Sequence, residues 1–144
     1  MSAADAVVRF FHAVDDRDWP VVRAGLADPV TADYSSLFGG PPEQLPADEL
    51  VARWQGLLPG FDGTQHLLGP LVITVTGNDA SVDANVRAYH RLGESTWLVA
   101  GRYDLTLQRA GQTWLVAGIV LHTTYQDGDR SLPEQATARA AGPR

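Results

Sequence analysis

The residue pattern predicts an α+β fold: a cone-shaped α+β barrel in which three N-terminal helices pack inside a strongly curved mixed or antiparallel sheet. Three observations carry this. Helical apolar periodicity is confined to the first 58 residues, three long strand patterns joined by tight turns follow, and 144 residues suffice for one core but not two. A sheet that curves over helices leaves an internal pocket at its wide end.

The first helix is expected over residues 4–18, where Val7, Val8, Phe10, Phe11 and Val14 fall within one arc at 100° per residue. Asp18 is placed to cap a second short helix, with Trp19-Pro20 in its first turn and Val21, Val22 and Leu26 on its apolar side. Val30 to Leu37 reads as a short strand, and Gly39-Gly40-Pro41-Pro42 as a loop. A third helix fits Ala47 to Leu58, with Asp48 and Glu49 at its positive end and Leu50, Trp54, Leu57 and Leu58 along its apolar face.

Strand signal fills the rest. Gln65 to Thr76 is rich in β-branched residues and ends at the turn Gly77-Asn78-Asp79. Ala80 to Leu92 alternates strictly: Val82, Ala84, Val86, Ala88, His90 and Leu92 share one face, and Asp83, Asn85, Arg87, Tyr89 and Arg91 the other. Trp97 to Arg109 and Thr113 to Tyr125 complete the sheet around a turn at Ala110-Gly111-Gln112. One domain over residues 1–125 is expected. Residues 126–144, with Leu132 as their single large apolar residue, are expected to form a mobile polar tail.

Composition narrows the chemistry. The chain has no cysteine, which removes disulfides, thiolate nucleophiles and sulfur-rich metal sites. All 11 basic side chains are arginine, so there is no lysine for a Schiff base or a P-loop. A formal net charge of −6 argues against nucleic acid as a partner. Apolar runs fall short of the roughly 20 residues a membrane helix needs, and Met1 to Phe11 carries no signal-peptide pattern, so a cytoplasmic location is expected. The four histidines show no metal-ligand spacing, so no metal is expected. Proton transfer by His, Asp, Glu and Tyr, without a cofactor, is the chemistry that remains.

Five residues qualify. Asp15 lies on the flank of the first helix's apolar face, although on composition it reads as a surface acid in the run Asp15-Asp16-Arg17-Asp18. His66 shares a strand face with Leu68 and points inward, either as a packed core histidine or as a catalyst. His90 ends the inward stripe of Val82, Val86 and Ala88, where either a pocket lining or a half-exposed strand end fits. Tyr103 shares its face with Val99, Gly101 and Leu105, so its hydroxyl needs an internal partner; Tyr34 alternates with Ser36 and is open to either side. The same phases give a pocket lined by Phe11, Val14, Trp54 and Leu58 from the helices and by Val86, Val99, Tyr103, Ile119, Leu121 and Thr123 from the strands.

The segments Val14-Asp15-Asp16-Arg17-Asp18-Trp19, Ala32-Asp33-Tyr34-Ser35-Ser36-Leu37 and Gly63-Thr64-Gln65-His66-Leu67-Leu68-Gly69 resemble the scytalone dehydratases in order and spacing. Trp114-Leu115-Val116-Ala117-Gly118 resembles their last strand. The likeness spans about residues 5–125 and identifies the chain as a SnoaL-like member of the nuclear-transport-factor-2-like superfamily. It implies a catalytic dyad of Asp15 and His66, also matching that of hexachlorocyclohexane dehydrochlorinase. It makes Tyr34 a polariser of a substrate carbonyl and His90 an assistant to the leaving hydroxyl. Three departures point away from scytalone itself. Val14 replaces a carbonyl-side tyrosine, Gly101 and Tyr103 replace a serine and an asparagine, and the tail lacks the pocket-closing phenylalanines. Tyr103 is positioned to supply the lost phenol from the opposite wall.

The expected activity is that of a cofactor-free lyase removing water from a small hydrophobic, cyclic or polyketide-like hydroxy-ketone. An isomerase or cyclase would use the same dyad, and a ligand-binding module would use the pocket alone. Tyr89, Leu98, Ala100, Leu115 and Ala117 on the outer sheet face, beside Arg87, Arg91, Arg102 and Asp104, suggest a homodimer or homotrimer, as the resemblance also implies.

Overall fold

The computed structural model describes residues 1–142. Helix α1 (Ala3–Asp16) starts where the Ser2 hydroxyl accepts the Asp5 N–H and buries Val7, Phe10, Phe11 and Val14. Val8, counted in the apolar arc, is instead exposed. The helix stops at Arg17, which takes a left-handed backbone (φ 57°) and sends its guanidinium to the carbonyls of Leu58 and Phe61. Helix α2 (Trp19–Ala24) is capped by the Asp18 carboxylate.

Strand β1 (Leu26–Asp33) lies earlier than the sequence suggests. The chain leaves the sheet at Asp33 because that carboxylate accepts both the N–H and the hydroxyl of Ser35, at 3.0 and 2.6 Å. A single turn, α3 (Ser35–Phe38), follows. Then come a short strand that the sequence did not reveal, β2 (Glu43–Leu45), and helix α4 (Ala47–Gln55), which gives way to a 3-10 turn at Leu58–Gly60.

The expected strand over residues 65–76 is two strands, β3 (Gly63–Leu68) and β4 (Val72–Thr76). Pro70 between them has no N–H to donate to the ladder. Both pair with β5 (Asp79–Leu92), which continues through β6 (Ser95–Ala110) to β7 (Thr113–Gly128) in antiparallel register. The order is β2-β1-β7-β6-β5-β3, with β1 parallel to β7, so the curved sheet is mixed and does not close on itself among the described residues. At the bulge between Ala100 and Gly101 the β7 backbone comes so close that a Cβ on Gly101 would strike the His122 carbonyl.

Residues 126–144 are not the mobile tail expected from their polarity. Strand β7 runs on to Gly128, and helix α5 (Leu132–Ala140) folds back on the 3-10 turn; the last two residues lie outside the described ones. Leu132 and Ala136 are fully buried, the backbone of Ala136 sits where Gly60 has no Cβ, and Arg139 pairs with Asp62 at 2.6 Å. A polar segment was recruited by two small apolar contacts and a glycine gap. No helix among the described residues is long and apolar enough to cross a membrane.

Candidate functional site

The sheet's concave face and helices α1 and α4 enclose a cavity of about 280 Å³. Phe11 and Val14 of α1 form one wall, Trp54 and Leu58 another, and Val86, Val99, Tyr103 and Leu121 the sheet side. Its mouth lies at Phe38, Gly39 and Pro41, flanked by the Arg53–Glu43 ion pair.

Strand alternation at β3 turns Thr64, His66 and Leu68 inward, and helix phase brings Asp15 to meet them. The Asp15 carboxylate receives three groups. Its Oδ1 lies 2.6 Å from His66 Nδ1 and accepts the Thr64 hydroxyl at 3.1 Å, while its Oδ2 accepts the His66 backbone N–H at 2.7 Å. Burial alone would raise the Asp15 pKa. The bonds and charge of His66, with Thr64, outweigh it and hold the carboxyl below its usual range. The pair is nearly enclosed, with 16% of the Asp15 side chain and 10% of the His66 side chain exposed. With Nδ1 turned to Asp15, the Nε2 edge of His66 faces the cavity.

Tyr34 and Tyr103 line the same cavity, and their hydroxyls adjoin. Desolvation raises both phenols above their usual range, so they stay protonated and able to donate. Phe11 holds this arrangement. Its ring stacks on Tyr103 at 5.0 Å and packs 5.6 Å from the His66 ring.

His90 is the one buried polar or charged residue among those described. Its ring lies between Phe61 and Trp97, with centroids at 4.9 and 4.3 Å, and Nδ1 sits 3.0 Å from the Trp97 carbonyl. Burial first, and then the neighbouring His66, lower its pKa to about 4, against the pull of the Trp97 carbonyl.

His66, Tyr34 and His90 thus line one cavity, with Asp15 bonded to His66, and so does every other expected lining residue except two. Ile119 belongs to the packed core, paired with Leu105 and Ala32. Thr123 pairs with Gly101 just ahead of the β7 bulge and is tied to Ser36, whose hydroxyl lies 3.0 Å from its own. Thr123 keeps the row of Leu121 that alternation gave it, but its hydroxyl is engaged by Ser36 and it does not line the cavity.

Beyond the mouth residues Phe38, Glu43 and Arg53, two contributors beside the catalytic candidates were missed. Trp97 is one, although the alternation that turns Val99 and Tyr103 inward extends to it. Thr64 is the other; it shares the inward face of His66, but its hydroxyl acquires a purpose only once Asp15 is beside it.

Comparison with known proteins agrees with this architecture. A search of curated proteins gave no match. Among solved structures, Kfla4162 from Kribbella flavida is 27% identical, covers 92% of this chain and 93% of its own, and superposes with a TM-score of 0.83. A protein from Novosphingobium aromaticivorans, provisionally assigned as a scytalone dehydratase, is 20% identical over 86% of this chain and 83% of its own (TM-score 0.73). Hexachlorocyclohexane dehydrochlorinase LinA-type3 from Novosphingobium barchaimii is 16% identical over 88% and 87% (TM-score 0.68). At such identities the last two likenesses speak for the fold. The model of the SnoaL-like domain matches residues 2–119, most of the length, and the chain belongs to that family.

Proposed function

We propose that this protein is a cofactor-free lyase that removes water from a small, largely apolar cyclic hydroxy-ketone. The observation that carries the reading is the aspartate-oriented histidine whose free nitrogen opens into an apolar cavity beside two protonated phenols.

Neutral His66 takes the proton α to the substrate carbonyl on Nε2. Asp15, already fixed by Thr64 and the His66 backbone, stabilises the imidazolium without moving. The Tyr34 and Tyr103 hydroxyls donate to the carbonyl oxygen as it gains enolate charge. The enolate then reforms the carbonyl as the β-carbon–oxygen bond breaks, and the departing hydroxide leaves as water with the proton from His66 Nε2. The dyad ends as it began. Apolar walls of Phe11, Val14, Trp54 and Leu58 keep bulk water from the intermediate.

The test is a panel of one- and two-ring β-hydroxy-ketones in D₂O, followed by NMR. Loss of water, with deuterium entering the α position in slower substrates, supports the reading. Exchange with an isomeric product but no loss of water would identify an isomerase, exchange alone would overturn dehydration of these substrates, and neither exchange nor product from any member would overturn proton abstraction.

The outer sheet face is assigned to self-association as a dimer or trimer. Arg87 reaches to 5.9 Å from the Tyr125 ring across the covered Ala100, while Leu67 and Tyr89 beside them stay accessible. A monomer mass by light scattering at micromolar concentration would refute this.

A further inference from the structure

We infer that His90 is a fixed hydrogen-bond acceptor, selecting ligands that bring an O–H or N–H donor to the deep wall of the cavity. The inference rests on this cavity being the substrate site.

The geometry leaves little choice of proton placement. His90 is 6% exposed, held between two aromatic faces, and cannot turn its ring without displacing Phe61 or Trp97. A carbonyl only accepts, so the Trp97 oxygen 3.0 Å from Nδ1 requires the proton on that nitrogen. Nε2 then carries a lone pair. It has no hydrogen-bond partner among the described residues, yet it is not a buried orphan, because the ring lines the cavity. A ligand that displaces water from this wall must replace the lost bond or leave a desolvated acceptor unpaired.

The titratable groups facing His90 are His66 of β3, with ring centroids 6.2 Å apart, and, further off, Asp15 of α1. The Ala88 carbonyl on its own strand is the other backbone acceptor near the ring. When His66 carries a proton, a second positive charge on His90 is opposed, so the ring stays neutral through a reaction at His66. A neutral ring whose proton is committed to Trp97 has none to give a leaving group. This assigns His90 to recognition, and it divides the cavity: the phenols donate to a carbonyl, and His90 accepts from a hydroxyl.

The experiment has two arms. Side-chain ¹⁵N NMR of the full chain at pH 7 reads the tautomer directly, with a protonated Nδ1 and a bare Nε2 expected for His90. The second arm compares 2-naphthol with its near-isostere 2-fluoronaphthalene by NMR titration, following the Trp54 and Trp97 indole signals that report on the cavity. Native protein is expected to prefer the naphthol about tenfold or more, and His90→Phe, which keeps a ring but loses the lone pair, to reduce the preference below about threefold. An Nε2–H tautomer, a cationic ring at pH 7, equal affinities in native protein, an undiminished preference in His90→Phe, or binding of neither probe would each overturn the inference. The proposed reaction fails by a different sign, full turnover in His66→Ala, so the two failures are distinguishable.

Discussion

Asp15 holds His66 twice. One carboxylate oxygen meets the ring at Nδ1, at 2.6 Å, and the other accepts the backbone N–H of the same residue at 2.7 Å. The double grip fixes the ring against the strand that carries it, so the orientation of Nε2 is set by α1 and β3 together. A carboxylate committed to two groups of one histidine serves that histidine's tautomer and position more than any general surface ion pairing.

Removing the base should remove most of the rate. His66→Ala is expected to lower kcat by about 10² to 10⁴, and Asp15→Asn by a comparable factor, because an amide supplies no charge and can select the wrong tautomer. Steady-state kinetics with circular dichroism on each variant checks this. Near-native turnover in folded His66→Ala would make the dyad structural.

The two phenols should contribute unequally from a single donor role. Tyr34→Phe is expected to cost about 2 to 4 kcal/mol of transition-state stabilisation if its hydroxyl alone meets the developing enolate oxygen, and less where Tyr103 takes over. The Tyr34→Phe, Tyr103→Phe and double variants together form a cycle. A double variant no worse than the worse single one indicates that the phenols act as one unit. Unchanged kcat in all three would remove them from the mechanism.

Stability should depend on pH through His90. Its folded pKa, about 4, lies below the unfolded value near 6.5, so between these values the unfolded chain binds the extra proton. Stability therefore rises with pH across that window and falls in acid, by on the order of 2 to 3 kcal/mol in total. Urea titrations at pH 4.5, 5.5 and 6.5 should show the trend, with a flatter one in His90→Phe. Asp15 acts in the same direction at lower pH. Its depressed pKa gives stability that is complete above the unfolded carboxylate value of about 3.9 and is lost as pH falls through the folded one.

The C-terminal helix should behave as part of the core. Leu132→Ala is expected to destabilise the protein by about 2 to 4 kcal/mol, since the side chain is 1% exposed. Gly60→Ala should do so as well, because its Cβ would meet the Ala136 backbone. Denaturant midpoints check both, and a negligible change for Leu132→Ala would return residues 132–140 to the status of an appendage.

The parts read correctly from the sequence are those governed by local periodicity. Strict alternation over Ala80–Leu92 placed Val86, Ala88 and His90 inside and Arg87 and Tyr89 outside, because a strand has only two faces and a polar residue on the wrong one is costly. Asp18 marked a cap for the same reason of short range. What depended on distant chain was not legible. The polarity of residues 126–144 hid a helix of nine residues that is marginal alone and is stabilised by docking on Gly60. The extra residues of β7, opposite Ala100–Gly101 and Thr106–Leu107, left no mark in the alternation.

The site divides in the same way. Local pattern turned His66 and His90 inward and set Asp15 on the edge of an apolar helix face, where its composition still read as that of a surface acid. Only the tertiary structure, by laying the end of α1 across β3, joined two residues 51 positions apart and added Thr64 to hold the carboxylate. Hydrogen bonds act over about 3 Å and their partners are chosen by the fold, whereas periodicity records only which side of its own element a residue occupies.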